Sequence, residues 1–297
     1  MTTFGDQVFQ YGGLPIVNGG IPFHFGKASN GSDVKYFFVD GTNGSDYNTG
    51  LKPNRALATI AAAITLVRAQ TDWAISRWAP LSVILIAPGT YAENLTALPH
   101  GATLFGLGYD LRDAQNGVKI KPASGSPVDV GAVVNCAFYN IGFESADSSR
   151  AFDATICNNC LFYNCRFSGA AESVTCAAAF YTSDAVANKW IDCEFTCSAV
   201  GFDIVYADGG DSFSHNKIYD CRFTQHTTAA LRTSTNLVGP SSTVKNCTFS
   251  GSGQTLAIGI DDNAGILDCF WCGSEATDAY QGCRSLNGCY ANGALES

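Results

Sequence analysis

The chain has 297 residues, 46% of them apolar and only 14% charged, so a large core is expected and a disordered chain is excluded. Its 26 acidic and 17 basic side chains leave a formal net charge of −9, which argues against nucleic acid and anionic membranes as partners. No run of eighteen apolar residues is present to cross a bilayer.

Residues 1–34 form a first segment, an N-terminal arm. It carries Phe4, Val8, Phe9, Tyr11, Leu14, Ile16, Phe23 and Phe25 between glycines, with no basic-then-apolar pattern of a secretory signal. The arm is too apolar for a free tail and too short and Gly-rich to fold alone. It should order against the rest of the chain or, by strand addition, against a sister subunit or larger assembly. Phe9, Tyr11, Leu14, Pro15 and Ile16 are the partner-docking candidates.

Residues 35–80 read as a strand, a polar loop and a helix. YFFV leads into DGTNGSDYNTG, and Arg55–Arg68 places Leu57, Ile60, Ile64 and Val67 at helical spacing. Ala58, Ala61, Ala62 and Ala63 would let this helix lie close to its support. A solenoid exposes an apolar end that must be covered, and the helix suits that role. In the loop, Asp40, Asn43, Ser45, Asp46 and Asn48 are spaced loosely like calcium ligands, but Leu51 stands where the closing acid belongs. Asp40 and Asp46 are therefore calcium candidates set against a plainer reading, a turn capped by its own side chains. No cofactor is expected.

Residues 81–297 repeat. YNIGF at 139–143 returns as YNCRF, IDCEF, YDCRF, KNCTF and LDCFW, with third positions Ile141, Cys165, Cys193, Cys221, Cys247 and Cys269. A second landmark runs between them: AFDA at 151–154, AFYT at 179–182, GFDI at 201–204, ALRT at 230–233 and AIGI at 257–260. Self-similarity at this period means a solenoid, and alternation within each unit means strands. The fold class is all-β: a parallel β-helix of about eight coils, ~40 Å tall, with Cys and Phe stacked inside. All 13 cysteines lie between Cys136 and Cys289. An odd count, and the poor disulfide geometry of in-register parallel neighbours, predict reduced thiols.

VDGTNGSDYNTG, then ATIAAAI, VILIAPGTYAENL at 83–95 and GATLFGLG at 101–108 together resemble the N-terminal part of right-handed parallel β-helix proteins of the pectate-lyase-like superfamily. QVFQYGGLPIVNGG resembles the N-termini of bacteriophage structural proteins. The resemblance implies a right-handed solenoid. It says less about activity, because this fold hosts lyases, hydrolases, tailspikes and inert virion proteins. The reading it favours is a non-enzymatic virion protein, a capsid decoration protein or short surface fibre anchored by its arm. Such a protein would be a homotrimer, made in the host cytoplasm and displayed on the virion surface, with other virion proteins and host glycans as contacts. The alternative is a tailspike- or lyase-like polysaccharide depolymerase.

Four groups could carry chemistry. Arg166, Glu194 and Arg222 should form one outward column with Asp192 and Asp220 beside it, either a base flanked by acids or an ion-pair ladder. Asp203, Asp208 and Asp211 in GFDIVYADGGDS, with Asp261 and Asp262 in GIDDN, are the weak catalytic candidates. Asp203 and Asp261 should share a face with the Leu231–Arg232 coil between them, ~10 Å apart, near the upper limit for an inverting glycosidase. His215 and His226 read as polar residues on solvated turns. Cys269, Cys272, Cys283 and Cys289 could hold zinc as four thiolates, but the second pair lacks the usual spacing and free thiols fit better. Trp190 and Trp271 fall at strand positions and should line the core or its end.

Overall fold

The computed structural model describes residues 8–11, 14–17, 35–69, 82–108, 111, 116–169, 176–204, 213–234, 241–250, 256–276, 278–292 and 294–296. Strands stack in parallel and in register. One face holds ten of them among the described residues, from Lys35–Val39 and Ser82–Ile86 through Leu161–Tyr163 and Lys189–Ile191 to Ser285–Asn287. The sequence had suggested about eight coils. A second face begins after a corner, with Ile141–Glu144, Arg166–Ser168 and the first residues of Glu194–Ile204 and Arg222–Thr233. A third face is built from Val128–Val134, Phe152–Asn158, Cys176–Val186, the far halves of those two long strands, Ile258–Asp262 and Asp278–Gln281.

The corners explain the repeat. Between the first and second faces, Asn140, Asn164, Asp192, Asp220 and Asn246 all have φ between 48° and 57°. A short side chain that bonds locally is what tolerates this left-handed backbone. Between the third and first faces Asn135, Asn159, Ala187 and His215 are also left-handed, with φ between 53° and 59°. The corner amides also link successive coils: Asn164 Nδ2 donates to Asn140 Oδ1 at 2.9 Å, and Asn246 Nδ2 to Asp220 Oδ1 at 3.1 Å.

Inside the first corner runs one column: Ile141, Cys165, Cys193, Cys221, Cys247, Cys272 and Cys289. All are buried, and the described cysteines are free thiols. Each thiol is small enough for the corner and reaches carbonyls there; Cys221 Sγ lies 3.2 Å from Tyr219 O and 3.5 Å from Trp190 O. Burial pushes the Cys165 and Cys221 thiols well above their ordinary pKa, so they stay protonated. Cys269 was expected in this column and is not in it. It sits on the first face above Val244, and Cys272 takes the place above Cys247. Trp271, with φ of 52°, occupies the corner that Asn or Asp holds elsewhere. The spacing from the preceding strand sets the register, and the DC pair in LDCFW is a coincidental likeness.

The other inner corner carries Cys136, Cys160, Asn188, Asn216 and Ser242. Here two fully buried amides form a chain. Cys160 N donates to Asn188 Oδ1 at 2.8 Å, Asn188 N to Asn216 Oδ1 at 2.9 Å, and Asn216 N to Ser242 Oγ at 3.1 Å. Three aromatic columns fill the space between the corners. Phe138, Phe162 and Trp190 stack from the first face, Phe143, Phe167, Phe195 and Phe223 from the second, Phe152 and Phe180 from the third. The columns meet edge to face, as in Phe152 against Phe143 at 5.3 Å, a geometry that adds about 0.5–1.5 kcal/mol per pair beyond burial. Trp190 lines the core as expected; Trp271 is 57% exposed.

The lid is shorter than its pattern suggested. A 3-10 turn spans Pro53–Arg55 and the α-helix runs Ile60–Arg68. Thr59 caps it, its hydroxyl accepting from Ala62 N at 3.1 Å. Leu57 is instead drawn into a bridge with Val39. Ile60, Ala63, Ile64 and Val67 are buried against the first rungs, while Ala61 faces outward. In the arm, Val8–Tyr11 and Leu14–Val17 pair antiparallel with each other, Phe9 opposite Ile16 and Tyr11 opposite Leu14.

Candidate functional site

The third face carries the most chemistry on its outer side. Stacking places Asp129, Asp153, Tyr181, Asp203, Arg232, Asp261 and Gln281 in one column, one residue per rung. The expected order of Asp203, Arg232 and Asp261 is present. The last unit of the landmark, however, is GIDD at 259–262 and not AIGI at 257–260, because Ile260 stacks on Leu231 and Asp261 on Arg232.

Within the column one pair of opposite charges meets directly. Arg232 grips Asp203 with two parallel bonds, Nε to Oδ1 at 2.9 Å and NH2 to Oδ2 at 2.8 Å. This fork geometry is the strong form of the carboxylate–guanidinium contact. It raises the pKa of Arg232, with the charge of Asp261 adding to the effect. Lower on the face, Arg150 NH1 bonds Asp153 Oδ2 at 2.8 Å, and Arg150 Cζ lies 3.2 Å from the centre of the Tyr181 ring. Burial pushes the Asp153 carboxyl up, Arg150 opposes it and Asp129 adds to it. The Arg150–Tyr181 contact was not anticipated. Its only trace in the sequence is that Tyr181 fills the landmark position held by Asp153 and Asp203.

Asp262 proves to be structural. It points inward, 2% exposed, where Oδ1 accepts from Thr233 Oγ1 at 2.8 Å and Oδ2 from Leu267 N at 2.7 Å. Burial pushes its carboxyl above the ordinary range against the pull of those donors. Two adjacent aspartates on a strand face opposite sides, so only Asp261 can join Asp203. Asp208 and Asp211 lie outside the described residues. His226 is also corrected: it is fully buried, with Nε2 3.0 Å from Phe195 O, because Gln225 at φ 60° breaks the alternation before it. His215 occupies an exposed corner, as expected of a turn residue.

On the second face, Arg166, Glu194 and Arg222 stack as a column, with Arg166 Nε bonded to Glu194 Oε2 at 3.2 Å. Asp192 and Asp220 are the corner residues beside it, held for their left-handed backbone. Further down, Glu144 bonds Lys121 Nζ at 2.5 Å and Lys119 Nζ at 3.1 Å. Burial works to raise its pKa, but the two lysines overcome that and hold the carboxyl below the usual range.

The loop acids are occupied by backbone donors. Asp40 Oδ1 accepts from Thr42 N and Asn43 N at 2.9 and 3.0 Å, and Oδ2 from Asn43 Nδ2 at 3.1 Å. Asp46 Oδ1 accepts from Ala58 N and Thr59 N, and Oδ2 from Thr59 Oγ1, all at 2.9 Å. Asp40 thus caps the turn that follows it, and Asp46 holds the start of the helix. Among the described residues no three His, Cys, Asp or Glu side chains come together to hold a metal, the four C-terminal cysteines included. Glu93, within YAENL, bonds Ile60 N and Ala61 N at 2.8 Å each and so fastens the lid. Tyr91 in the same motif accepts from Gly41 N at 3.2 Å and donates to Ala87 O at 2.8 Å. The motifs that carry the family resemblance therefore build the capped end of the fold.

No family model matches the chain, and no curated protein does. Among solved structures it is similar to the pectin methylesterase from Aspergillus niger, at 16% identity over 87% of this chain and 86% of that one, with a TM-score of 0.54. It is similar to pectate lyase Pel9A at 12% identity over 91% and 81%, with a TM-score of 0.55. It is similar to a protein of Geobacillus virus E2, ORF18, at 11% identity, with a TM-score of 0.52; the match covers 79% of this chain and 49% of the viral protein. At these identities the likeness is one of fold: the chain is a right-handed parallel β-helix.

Proposed function

We propose that this chain is a non-enzymatic structural protein of a bacteriophage virion, a capsid decoration protein or short surface fibre anchored through residues 1–34. The observation that carries this reading is the bidentate grip of Arg232 on Asp203. A glycosidase needs one carboxyl ready to give a proton and a second with a water or sugar ring before it. The guanidinium that stacks between Asp203 and Asp261 neutralises the first acid and stands on the path between the two. On the second and third faces Glu144, Asp153 and Glu194 are likewise paired with cations. A stiff shaft whose most crowded acids are held in ion pairs suits a particle surface better than a catalytic groove. The likeness to the Geobacillus virus protein supports the same reading.

In this reading the chain is a homotrimer. Phe9, Tyr11, Leu14, Pro15 and Ile16 meet other virion proteins, host glycans touch the exposed shaft, and the protein reaches the virion surface after synthesis in the host cytoplasm. Antibody raised against the purified chain should label the surface of intact particles from its source in immunogold images. The purified chain should release neither reducing ends nor unsaturated uronides from a panel of bacterial polysaccharides. Unlabelled particles, or polysaccharide turnover that Asp203→Asn and Asp261→Asn abolish, would replace this reading with the depolymerase.

A further inference from the structure

The last described coils hold a thiol pair unlike the others. Ladder cysteines are in-register neighbours on successive rungs, ~4.8 Å apart with side chains pointing the same way, a poor geometry for a disulfide. Cys269 and Cys283 are not register partners, since Cys269 stacks beneath Leu286. Their sulfurs nevertheless lie 3.7 Å apart, fourteen residues along the chain. Cys269 is fully buried; Cys283 is the partly exposed cysteine of the described set, packed on the upper edge of the core with Tyr280 and Leu286. The backbone around Cys283 is held in place: Gly282 turns it with φ of 68°, and Arg284 N donates to Leu267 O at 3.0 Å. One sulfur is thus partly accessible and the other is shielded behind it, 3.7 Å away.

We infer that Cys269 and Cys283 are a modification site, a thiol pair that a low-molecular-weight disulfide such as oxidised glutathione converts into an intrachain disulfide. The Cys283 thiol gives up its proton, its sulfur attacks the oxidant and breaks the S–S bond, and the leaving sulfur takes up a proton and departs as one small thiol. Cys269 then gives up its proton, attacks Cys283 Sγ and releases the second small thiol. Two protein thiols are oxidised, one external disulfide is reduced to two thiols, and the covalent link joins the strand Leu267–Phe270 to the corner before Ser285–Asn287. The Cys283 sulfur and burial together push the Cys269 thiol up, which keeps it protonated until the mixed disulfide draws it in. The inference rests on this geometry alone and is independent of the function proposed above.

The test uses the full chain, purified under reducing conditions and then incubated with oxidised glutathione. Cleavage after Trp271, Glu275 and Arg284 puts Cys269, Cys272, Cys283 and Cys289 on four separate peptides, so a non-reduced peptide map should show the Cys269 and Cys283 peptides joined, and the joined species should disappear on reduction. The oxidised wild type should unfold several degrees above the reduced protein, and Cys283→Ser should lose that difference. Cys269→Ala should keep glutathione on Cys283 as a stable mixed disulfide. If Cys269→Ala fails to fold, the wild-type map and Cys283→Ser still decide the matter. A glutathione adduct that stays on Cys283 in the wild type, a link between Cys283 and any other cysteine, or a crosslinked dimer would overturn the inference.

Discussion

At one end of the core the helix Ile60–Arg68 lies across the first rungs; at the other, Cys289–Ala291 folds back antiparallel onto Ala294–Glu296. Both arrangements answer the same problem, an apolar cross-section and an unpaired strand edge. The lid end is fastened by polar groups on separate loops. Glu93 and Asp46 converge on the first backbone N–H groups of the helix and its cap, where the helix dipole favours negative charge. The opposite end is held by neutral groups instead: the Tyr280 hydroxyl donates to Tyr290 O at 3.0 Å and Asn292 Nδ2 to Ala276 O at 3.3 Å. It leaves Trp271, Tyr290 and Leu295 exposed, with Lys245 Nζ 4.8 Å from the Trp271 ring. A charge-pinned helix buries the apolar end, whereas a short hairpin only turns the edge aside.

The sharpest way to break this contrast is Ile64→Asp, which puts an unpaired charge under the lid. It should cost about 3–4 kcal/mol and speed amide exchange in Lys35–Val39, read by hydrogen-exchange mass spectrometry. Asp46→Ala removes the three bonds that tie Thr59 and Ala58 to the loop. A loss of about 1–2 kcal/mol in urea unfolding, with the lid exchanging first, is expected.

Glu93→Gln tests the charge itself and carries a pH signature. Burial raises the Glu93 pKa against the pull of Ile60 N and Ala61 N, with Asp46 adding to the rise. An acid whose folded pKa is raised is held least favourably when ionised. Its penalty is therefore full above the folded value and vanishes as pH falls below the unfolded one, near 4.5. The melting temperature of the wild type relative to Glu93→Gln should rise on acidification through that window. A flat difference from pH 7 to pH 4 would show that the carboxylate is not shielded. At the far end Leu295→Ser should change stability by less than about 0.5 kcal/mol, because that side chain is 63% exposed. A larger loss there would mean the hairpin is a true cap.

The solenoid is legible in the chain because each coil must offer the same inward shape to the coil above. Phe167, Phe195 and Phe223 repeat for that reason, and so do the Asn and Asp of the left-handed corners. The lid is legible from Ile60, Ile64 and Val67. Its start is not, because Thr59 caps the helix while Leu57 bridges to Val39, a choice made by a partner distant in sequence. The candidate site divides the same way. That Asp203 and Arg232 stack follows from the landmark; that Asp261 joins them was set by the shift of the last unit to GIDD at 259–262. The pairing of Asp203 with Arg232 does not follow from the landmark, nor does the placing of Arg150 over Tyr181, since side-chain direction across rungs leaves no mark in spacing.

Composition and periodicity alone thus establish an all-β stack with a reduced thiol-and-phenyl interior, because short-range alternation and a repeated contour are written residue by residue. The three-dimensional packing alone settles which aspartates are paired, that Asp262 points inward, which cysteines share a column and which two nearly touch. Those outcomes depend on where successive coils bulge and turn, as at Gln225 and Trp271, and a single left-handed residue redirects every side chain that follows it.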